Sequence, residues 1–193
     1  MNKGMVVVIS APSGCGKDTV VRALCQKRPD CHVSISATTR KKRKNEKDGI
    51  DYYFRSTEEF EKMIQEDAFL EYVCYDGNYY GTPKMEVERC VSGGLVCILV
   101  IETAGASKIM KLLPECLSIF LLPPSLEVLE KRLVGRGTDD DQTIRSRMLI
   151  ANDELKHANE YDYCVVNDDL SACVDEIDTI FNKELYIRNH AKG

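Results

Sequence analysis

A glycine-rich loop between an apolar run and a helix-like segment is the feature that most limits how this chain can fold. The run Met5–Ser10 is followed directly by A-P-S-G-C-G-K-D, and a helical pattern then covers Lys17–Lys27. Gly14 and Gly16 would let backbone N–H groups turn toward a phosphate at the start of a helix, and Lys17 could reach its outer oxygens. The pattern predicts a P-loop, although a strand-to-helix turn with a nearby lysine is the alternative.

Two positions of this loop depart from the general P-loop pattern. Ala11 stands at the first glycine, and Asp18 stands where a Mg²⁺-ligating hydroxyl is usual. A carboxylate can also ligate Mg²⁺, so Asp18 is the candidate metal ligand and Thr19 is a weaker substitute. The predicted contacts to ATP in this segment are Ser13, Gly14, Cys15, Gly16, Lys17, Asp18 and Thr19.

Continuous apolar runs alternate with helical patterns along most of the chain. Runs that do not alternate with polar residues are typical of parallel strands covered by helices on both faces. The pattern predicts an α/β fold of three α/β/α layers around a central parallel sheet. The further predicted strands are Leu95–Ile101, Leu117–Leu122 and Tyr163–Asn167, and the further helices are Ala104–Leu112, Ser125–Val134, Gln142–Asn159 and Leu170–Ile187.

The segment from residue 34 to residue 94 interrupts this alternation and is interpreted as an inserted lobe of mixed α/β structure. Short alternating strands surround a tight turn at Gly77 and Asn78. Ser56 and Glu59 have the spacing of a capping box for a helix that runs to about Asp67. Thr82 and Pro83 suggest the N-cap and first position of a second helix, which would stop at residues 93–94.

Composition limits the class of protein. The chain has 193 residues, which suits one domain, and a formal net charge of −5, which argues against a nucleic-acid binder. Nine scattered cysteines with no C-x-x-C pair indicate neither a zinc site nor a disulfide framework, and mostly buried thiols are expected. No apolar run approaches the roughly 20 residues that span a bilayer, so we expect no membrane segment and a cytoplasmic protein.

Eight ordered blocks of this sequence resemble the guanylate kinases, and they are spread along most of the chain. The blocks are S-A-P-S-G-C-G-K, S-A-T-T-R, G-I-D-Y-Y-F, F-L-E-Y, G-N-Y-Y-G-T, F-L-L-P-P-S, R-L-V-G-R-G-T and Y-D-Y-C-V-V-N-D-D. The resemblance implies a P-loop nucleoside monophosphate kinase fold in a single domain. Its core would be residues 1–33 and 95–193, its GMP-binding lobe about 34–94, and its helical lid about 135–150.

The resemblance also implies which residues of the lobe bind GMP. Arg40 and Arg43 would grip the acceptor phosphate, with Tyr52 and Tyr80 as hydroxyl partners. Glu71 would accept hydrogen bonds from the guanine edge, beside the hydroxyl groups of Ser36 and Thr82. Without the resemblance, the basic run at residues 40–47 could equally be a solvated loop, a nuclear-localisation signal or a nucleic-acid patch.

Phosphoryl transfer needs cations near the transferred group, and three arginines are candidates. Arg132 and Arg136 flank Gly135, which with Gly137 could hinge a lid, and Arg147 follows on the next helix. Surface ion pairs with residues 139–141 are the alternative for these arginines. The resemblance places Asn167 and Asp168 where family members hold adenine, largely through backbone contacts.

One strand departs from the family pattern near the metal site. Val100 stands where the family usually has a carboxylate, Glu102 keeps the second carboxylate and is counted with the GMP contacts, and Ala104 stands where glutamine is common. One hypothesis is that Asp18 takes over Mg²⁺ coordination and compensates for Val100. The alternative is a damaged metal site with low activity.

These observations together predict a guanylate kinase that transfers the γ-phosphoryl group of ATP to GMP, and to dGMP, with Mg²⁺. No nucleic-acid partner is expected. One alternative is a non-enzymatic guanylate-kinase-like module that binds phosphorylated peptides. Another is a related P-loop kinase with a different acceptor, such as a ribose bisphosphate.

Overall fold

A parallel sheet of five strands lies at the centre of the fold, in the order β2-β7-β1-β8-β9. The computed structural model describes residues 4–75, 77–135 and 140–190. All four strand pairings in this sheet are parallel. The five strands are β1 Met5–Ser10, β2 Cys31–Val33, β7 Val96–Val100, β8 Leu117–Leu122 and β9 Tyr163–Val166.

Helices cover both faces of this sheet, which is why its strands are apolar without alternation. Val7 and Ile9 of β1 lie in one buried cluster, whereas the intervening Val8 lies in another on the opposite face. The core helices are α1 Lys17–Lys27, α3 Lys84–Ser92, α4 Thr103–Leu112, α5 Leu126–Gly135, α6 Asp141–Glu154 and α7 Leu170–His190. Within the described ranges, no helix is both long and apolar enough to cross a membrane. The three-layer α/β/α prediction is confirmed.

A second, mixed sheet of four strands forms the inserted lobe, in the order β4-β3-β6-β5. Its strands are β3 Ala37–Thr38, β4 Tyr53–Phe54, β5 Phe69–Tyr75 and β6 Asn78–Pro83, and its helix α2 covers Thr57–Gln65. The lobe has a small core of its own, in which Phe60 stacks on Phe69 with ring centroids 4.4 Å apart. The predicted capping box of Ser56 and Glu59 is confirmed, since both of its hydrogen bonds form.

Two predictions of local structure were wrong, and one strand was missed. Thr82 is not an N-cap, because it pairs with Glu71 in the sheet; Pro83 ends β6, is itself the N-cap, and α3 begins at Lys84. The predicted helix Gln142–Asn159 ends at Glu154 and continues as a 3₁₀ turn, Leu155–Glu160. Strand β2 was missed, since three residues carry no periodic signal.

The prediction that most of the cysteines are buried is confirmed. All nine are free thiols and five of them are buried.

Candidate nucleotide-binding and phosphoryl-transfer site

The glycine-rich loop has the backbone conformation that a phosphate cradle requires. Gly14 and Gly16 both have φ of +88°, a region that side chains with a Cβ rarely adopt. A Cβ on Gly14 would lie 2.6 Å from Leu133 Cδ2, and one on Gly16 would lie 3.0 Å from Asn167 Nδ2. Both glycines are therefore needed for the turn and for close packing.

Asn167 braces this loop from the end of β9. Its side-chain Nδ2 donates to the carbonyl oxygen of Cys15 at 2.7 Å, and its backbone N–H donates to the carbonyl oxygen of Leu122 at 2.8 Å. The residue is buried, whereas the neighbouring Asp168 is exposed. Sequence reasoning gave Asn167 no specific side-chain role, and the structure gives it one in holding the cradle.

Lys17 lies where the carboxyl ends of β1 and β7 meet. Its Nζ donates to the carbonyl oxygen of Ile101 at 3.2 Å and is 3.7 Å from Glu102 Oε1. The side chain of Glu102 is 68% exposed, and Asp18 and Thr19 at the start of α1 are exposed as well. An anchored ammonium group therefore lies beside the accessible carboxylate of Glu102, and a second accessible carboxylate, Asp18, follows Lys17 in the chain.

Cys15 is a buried part of the cradle. Its thiol is buried and donates to the carbonyl oxygen of Leu121 at 3.7 Å. Burial raises its pKa to about 11, and this outweighs the opposing effect of the charge of Arg132. Because the thiolate is the reactive form, we expect little reactivity at neutral pH.

Glu154, at the end of α6, contacts the cradle and was missed by sequence reasoning. Its Oε2 accepts the backbone N–H of Ser13 at 3.2 Å, across 141 residues of sequence. Burial, and secondarily the charge of Glu102, raise its pKa to about 7. A glutamate near a helix end carries no local signal for such a contact, so only the tertiary structure reveals it.

Glu71 presents a buried carboxylate in the lobe. Its Oε1 accepts the hydroxyl hydrogen of Thr82 at 2.9 Å, and Thr82 is the cross-strand neighbour of Glu71 in the β5–β6 pair. Its Oε2 is buried and has no hydrogen-bond partner among the described residues, and it would lie 3.1 Å from a Cβ on Gly105. Burial raises the pKa of this carboxyl.

Arg40 is held over an aromatic surface of the lobe. Its guanidinium lies 5.3 Å from the ring centroid of Tyr52 and 5.8 Å from that of Phe54. Glu46 binds it in bidentate fashion, with N–O distances of 2.8 and 3.0 Å. The ring of Tyr80 packs edge-on against Tyr52, with ring centroids 6.3 Å apart. The structure thus brings together three of the predicted phosphate-binding residues and adds Glu46.

The remaining predicted residues are half-buried or exposed where the structure describes them. Ser36 is half-buried and accepts the backbone N–H of Tyr53 at 2.8 Å, while Arg43 is exposed. Arg132 on α5 and Arg147 on α6 are half-buried. Arg136 lies outside the described residues, and so do the other residues of the predicted lid between 136 and 139.

The cradle follows β1 and precedes α1, Lys17 begins α1, and Asn167 reaches the cradle from the carboxyl end of β9. A lobe with a buried carboxylate and an arginine on an aromatic surface forms a second binding region. This arrangement defines a kinase of the P-loop class.

Comparisons with known proteins give the family. The guanylate kinase family model matches residues 3–184. The guanylate kinase of Rickettsia bellii is 44% identical over 188 residues, which are 97% of this chain and 98% of the relative. That of Synechocystis is 46% identical over 182 residues, 94% of this chain and 95% of the relative. The chain belongs to the guanylate kinase family.

Solved structures agree with this assignment. The crystal structure of guanylate kinase from Anaplasma phagocytophilum superposes with a TM-score of 0.78 at 34% identity, over 96% of this chain and 88% of that one. A shikimate kinase from Bacteroides thetaiotaomicron, 13% identical with a TM-score of 0.53, shares the fold alone.

Proposed function

We propose that this protein transfers the γ-phosphoryl group of ATP to GMP, giving ADP and GDP, and accepts dGMP as well. The observation that carries the proposal is the carboxylate of Glu71, which is buried in the lobe and has one oxygen without a hydrogen-bond partner in the described chain. A buried acceptor in this state is costly unless a ligand supplies donors.

Guanine supplies the donors that Glu71 lacks. The base carries N1–H and N2–H₂ side by side, so one carboxylate can accept from both. Adenine has an acceptor at N1 and would leave the carboxylate unpaired or repelled. Thr82 already holds one oxygen of Glu71, which keeps the carboxylate in a fixed orientation. The lobe therefore favours guanine over adenine.

Arg40 supplies the contact to the acceptor phosphate. A guanidinium can bind phosphate oxygens in bidentate fashion, and here it is already held in place by Glu46 and the rings of Tyr52 and Phe54. Arg43 and the hydroxyl groups of Tyr52 and Tyr80 complete the proposed set. The lobe can thus hold both ends of a nucleoside monophosphate.

The donor side rests on the cradle. Backbone N–H groups of the cradle after Ser13 would bind the ATP phosphates, with Lys17 at the β- and γ-phosphates. Arg132, Arg136 and Arg147 would neutralise the charge that spreads over the transferred group. Little covalent work is required of the protein, since positioning and charge account for most of such catalysis.

The donor groups of this site suit Mg²⁺ bound together with ATP. Among the described residues, no three His, Cys, Asp or Glu side chains cluster as a metal cage. Mg²⁺ usually takes one or two carboxylates and fills its shell with water and phosphate oxygens. Asp18 and Glu102 are both accessible carboxylates, and Glu102 lies 3.7 Å from the Lys17 ammonium. When bound near Asp18 and Glu102, the ion would neutralise negative charge on the ATP phosphates.

A steady-state assay across five acceptors tests the proposal. ADP release would be measured with ATP, magnesium and GMP, dGMP, AMP, CMP or UMP. We expect turnover confined to GMP and dGMP. Activity with another acceptor would support a different P-loop kinase, and ATP binding without any turnover would contradict the proposed enzyme.

A further inference from the structure

A second buried carboxylate, Glu86, lies outside the nucleotide site. It is on α3, and its side chain is 1% exposed. Its Oε1 accepts the hydroxyl hydrogen of Tyr53 at 2.7 Å and a guanidinium hydrogen of Arg89 at 3.0 Å. Arg89 is 64% exposed, so its charge is well solvated and tyrosine is the more enclosed partner. A carboxylate buried to this degree is retained only where its contacts hold it.

The contact between Glu86 and Tyr53 joins the lobe to the core. Helix α3 packs on the central sheet, since Val87 and Cys90 share a buried cluster with Val8 of β1. Tyr53, in contrast, belongs to β4, at the edge of the lobe sheet. The hydrogen bond therefore ties an edge strand of the lobe to a helix fixed on the core.

A core residue on β2 faces the same carboxylate. His32 Nε2 lies 3.7 Å from Glu86 Oε2. Both atoms are buried, and neither has a hydrogen-bond partner within the described residues. Glu86 thus lies between the strand that leads into the lobe and the strand that carries Tyr53.

Tyr53 is directly connected to both ends of the proposed GMP site. Its backbone N–H donates to the carbonyl oxygen of Ser36 at 2.8 Å, and Ser36 is a proposed contact to the guanine edge. Tyr52, the preceding residue, is a proposed contact to the phosphate and lies under Arg40. A displacement of Tyr53 would therefore move groups at both ends of the acceptor.

We propose that Glu86 is a positioning residue for the acceptor nucleotide. It acts through the Tyr53 hydroxyl, which sets the position of the strand that carries Tyr52 and is bonded to Ser36. The proposal rests on the proposed function, because it takes these residues as GMP contacts. It assigns no contact between Glu86 and either nucleotide, so its effect falls on GMP and leaves the ATP cradle unchanged.

Tyr53→Phe is the main test, since it removes one hydroxyl and keeps the ring. We expect the KM for GMP to rise about fivefold, with the KM for ATP and the kcat within about twofold of the parent. Glu86→Leu should act in the same direction. The double variant should be no worse than the more impaired single variant, because both changes break one contact.

Tyr163→Phe is the matched control. Tyr163 on β9 also donates its hydroxyl hydrogen to a glutamate, Glu184 on α7, at 2.8 Å, but it lies outside the lobe. The Tyr163→Phe variant should leave the KM for GMP unchanged. The proposal is overturned if Tyr53→Phe leaves the KM for GMP unchanged, raises both KM values equally, or has no more effect than Tyr163→Phe. Should Glu86→Leu fail to fold, Glu86→Gln replaces it, and its retained acceptor predicts a smaller rise in KM than that of Tyr53→Phe.

The parent enzyme separates this inference from the function on which it rests. If the parent does not phosphorylate GMP, the proposed function fails. If the parent phosphorylates GMP and the tyrosine variant does so with the same KM, only the role of Glu86 fails.

Discussion

Two carboxylates of the same lobe show how environment decides the role of a side chain. Burial raises the pKa of Glu71, whose Oε2 has no partner among the described residues. The bidentate hydrogen bonds from Arg40 lower the pKa of Glu46 to about 2. Glu46 therefore stays ionised and holds a cation in place, whereas ionised Glu71 requires donors from outside the protein.

Glu71→Gln should lower kcat/KM for GMP about 100-fold. An amide keeps one acceptor but turns an NH₂ group toward a guanine donor, so one charged hydrogen bond is lost and one polar group is mismatched. The ratio of GMP to AMP turnover should fall with it, as measured by steady-state kinetics. Glu66→Gln, at an exposed position of the same lobe, should leave both values unchanged, and unaltered base choice in the Glu71 variant would contradict the assigned role.

Arg40→Lys should raise the KM for GMP about tenfold or more while leaving the KM for ATP unchanged. Lysine keeps the charge but lacks the planar fork that pairs with Glu46 and with a phosphate. Lys42→Gln removes an exposed charge from the same basic run and serves as the control. Equal effects of the two changes would indicate that the run acts only through its overall charge.

Helix α6 is coupled to the phosphate cradle through Glu154. The pKa of this group is raised from 4.5 to about 7 in the folded protein, mainly by burial. A carboxyl with a raised folded-state pKa binds more protons when folded, so its contribution to stability falls as pH rises between about 4.5 and 7 and is constant above.

Glu154→Gln should remove that pH dependence. As pH rises from 4.5 to 7, the free energy of unfolding of the variant should increase by about 1–2 kcal/mol relative to that of the parent. This is less than the full pKa shift would give, because water reaches the neighbouring Glu102 and screens its charge. Urea unfolding at several pH values measures this. Glu61→Gln on the exposed face of α2 is the control, and parallel curves for the parent and the Glu154 variant would contradict the prediction.

The start of α1 and the end of β7 flank the same phosphate region, and each departs from the family pattern there. If Asp18 compensates for Val100, Asp18→Ser should raise the magnesium concentration for half-maximal activity about tenfold. Val100→Asp in that background should restore much of the loss. Strictly additive effects in the double variant would contradict compensation and favour a weakened metal site. Thermal unfolding of each variant identifies any loss of folding, since Val100 packs against the core.

At the scale of the whole molecule, the buried clusters separate the lobe from the core. Phe60 packs with Phe69 and Tyr79 inside the lobe, whereas Phe181 of α7 packs in the cluster that covers one face of the central sheet. Removing either ring leaves a cavity that costs about 3–5 kcal/mol. The two losses should have different consequences for function.

Phe60→Ala should raise the KM for GMP while ATP affinity, measured by titration calorimetry, stays near that of the parent. Phe181→Ala should lower the midpoint of thermal unfolding and leave the KM for GMP of the folded fraction unchanged. The pair serves as its own control, because both variants remove one fully buried ring. Loss of ATP binding in the Phe60 variant would show that the lobe and the core do not unfold separately.

Predictions from sequence were most accurate where a long pattern had one interpretation. The bounds predicted for β1, α1 and β8 agree with the structure, because each is a continuous apolar or helical run next to a clear boundary. They failed at Thr82, where a helix-start signal lost to cross-strand pairing with Glu71. The roles assigned to the nucleotide-binding residues stay predictions, although the structure brings most of those in the lobe into two groups.

The sequence by itself determined the phosphate cradle, the parallel sheet and the family, because these depend on residues adjacent in the chain or on ordered blocks. Only the tertiary structure decided that Asn167 and Glu154 hold the cradle, that Glu46 holds Arg40, and that Glu86 joins the lobe to the core. The physical reason is that a buried polar group needs a partner, and the partner is chosen by how the elements pack, at sequence separations that no local pattern records.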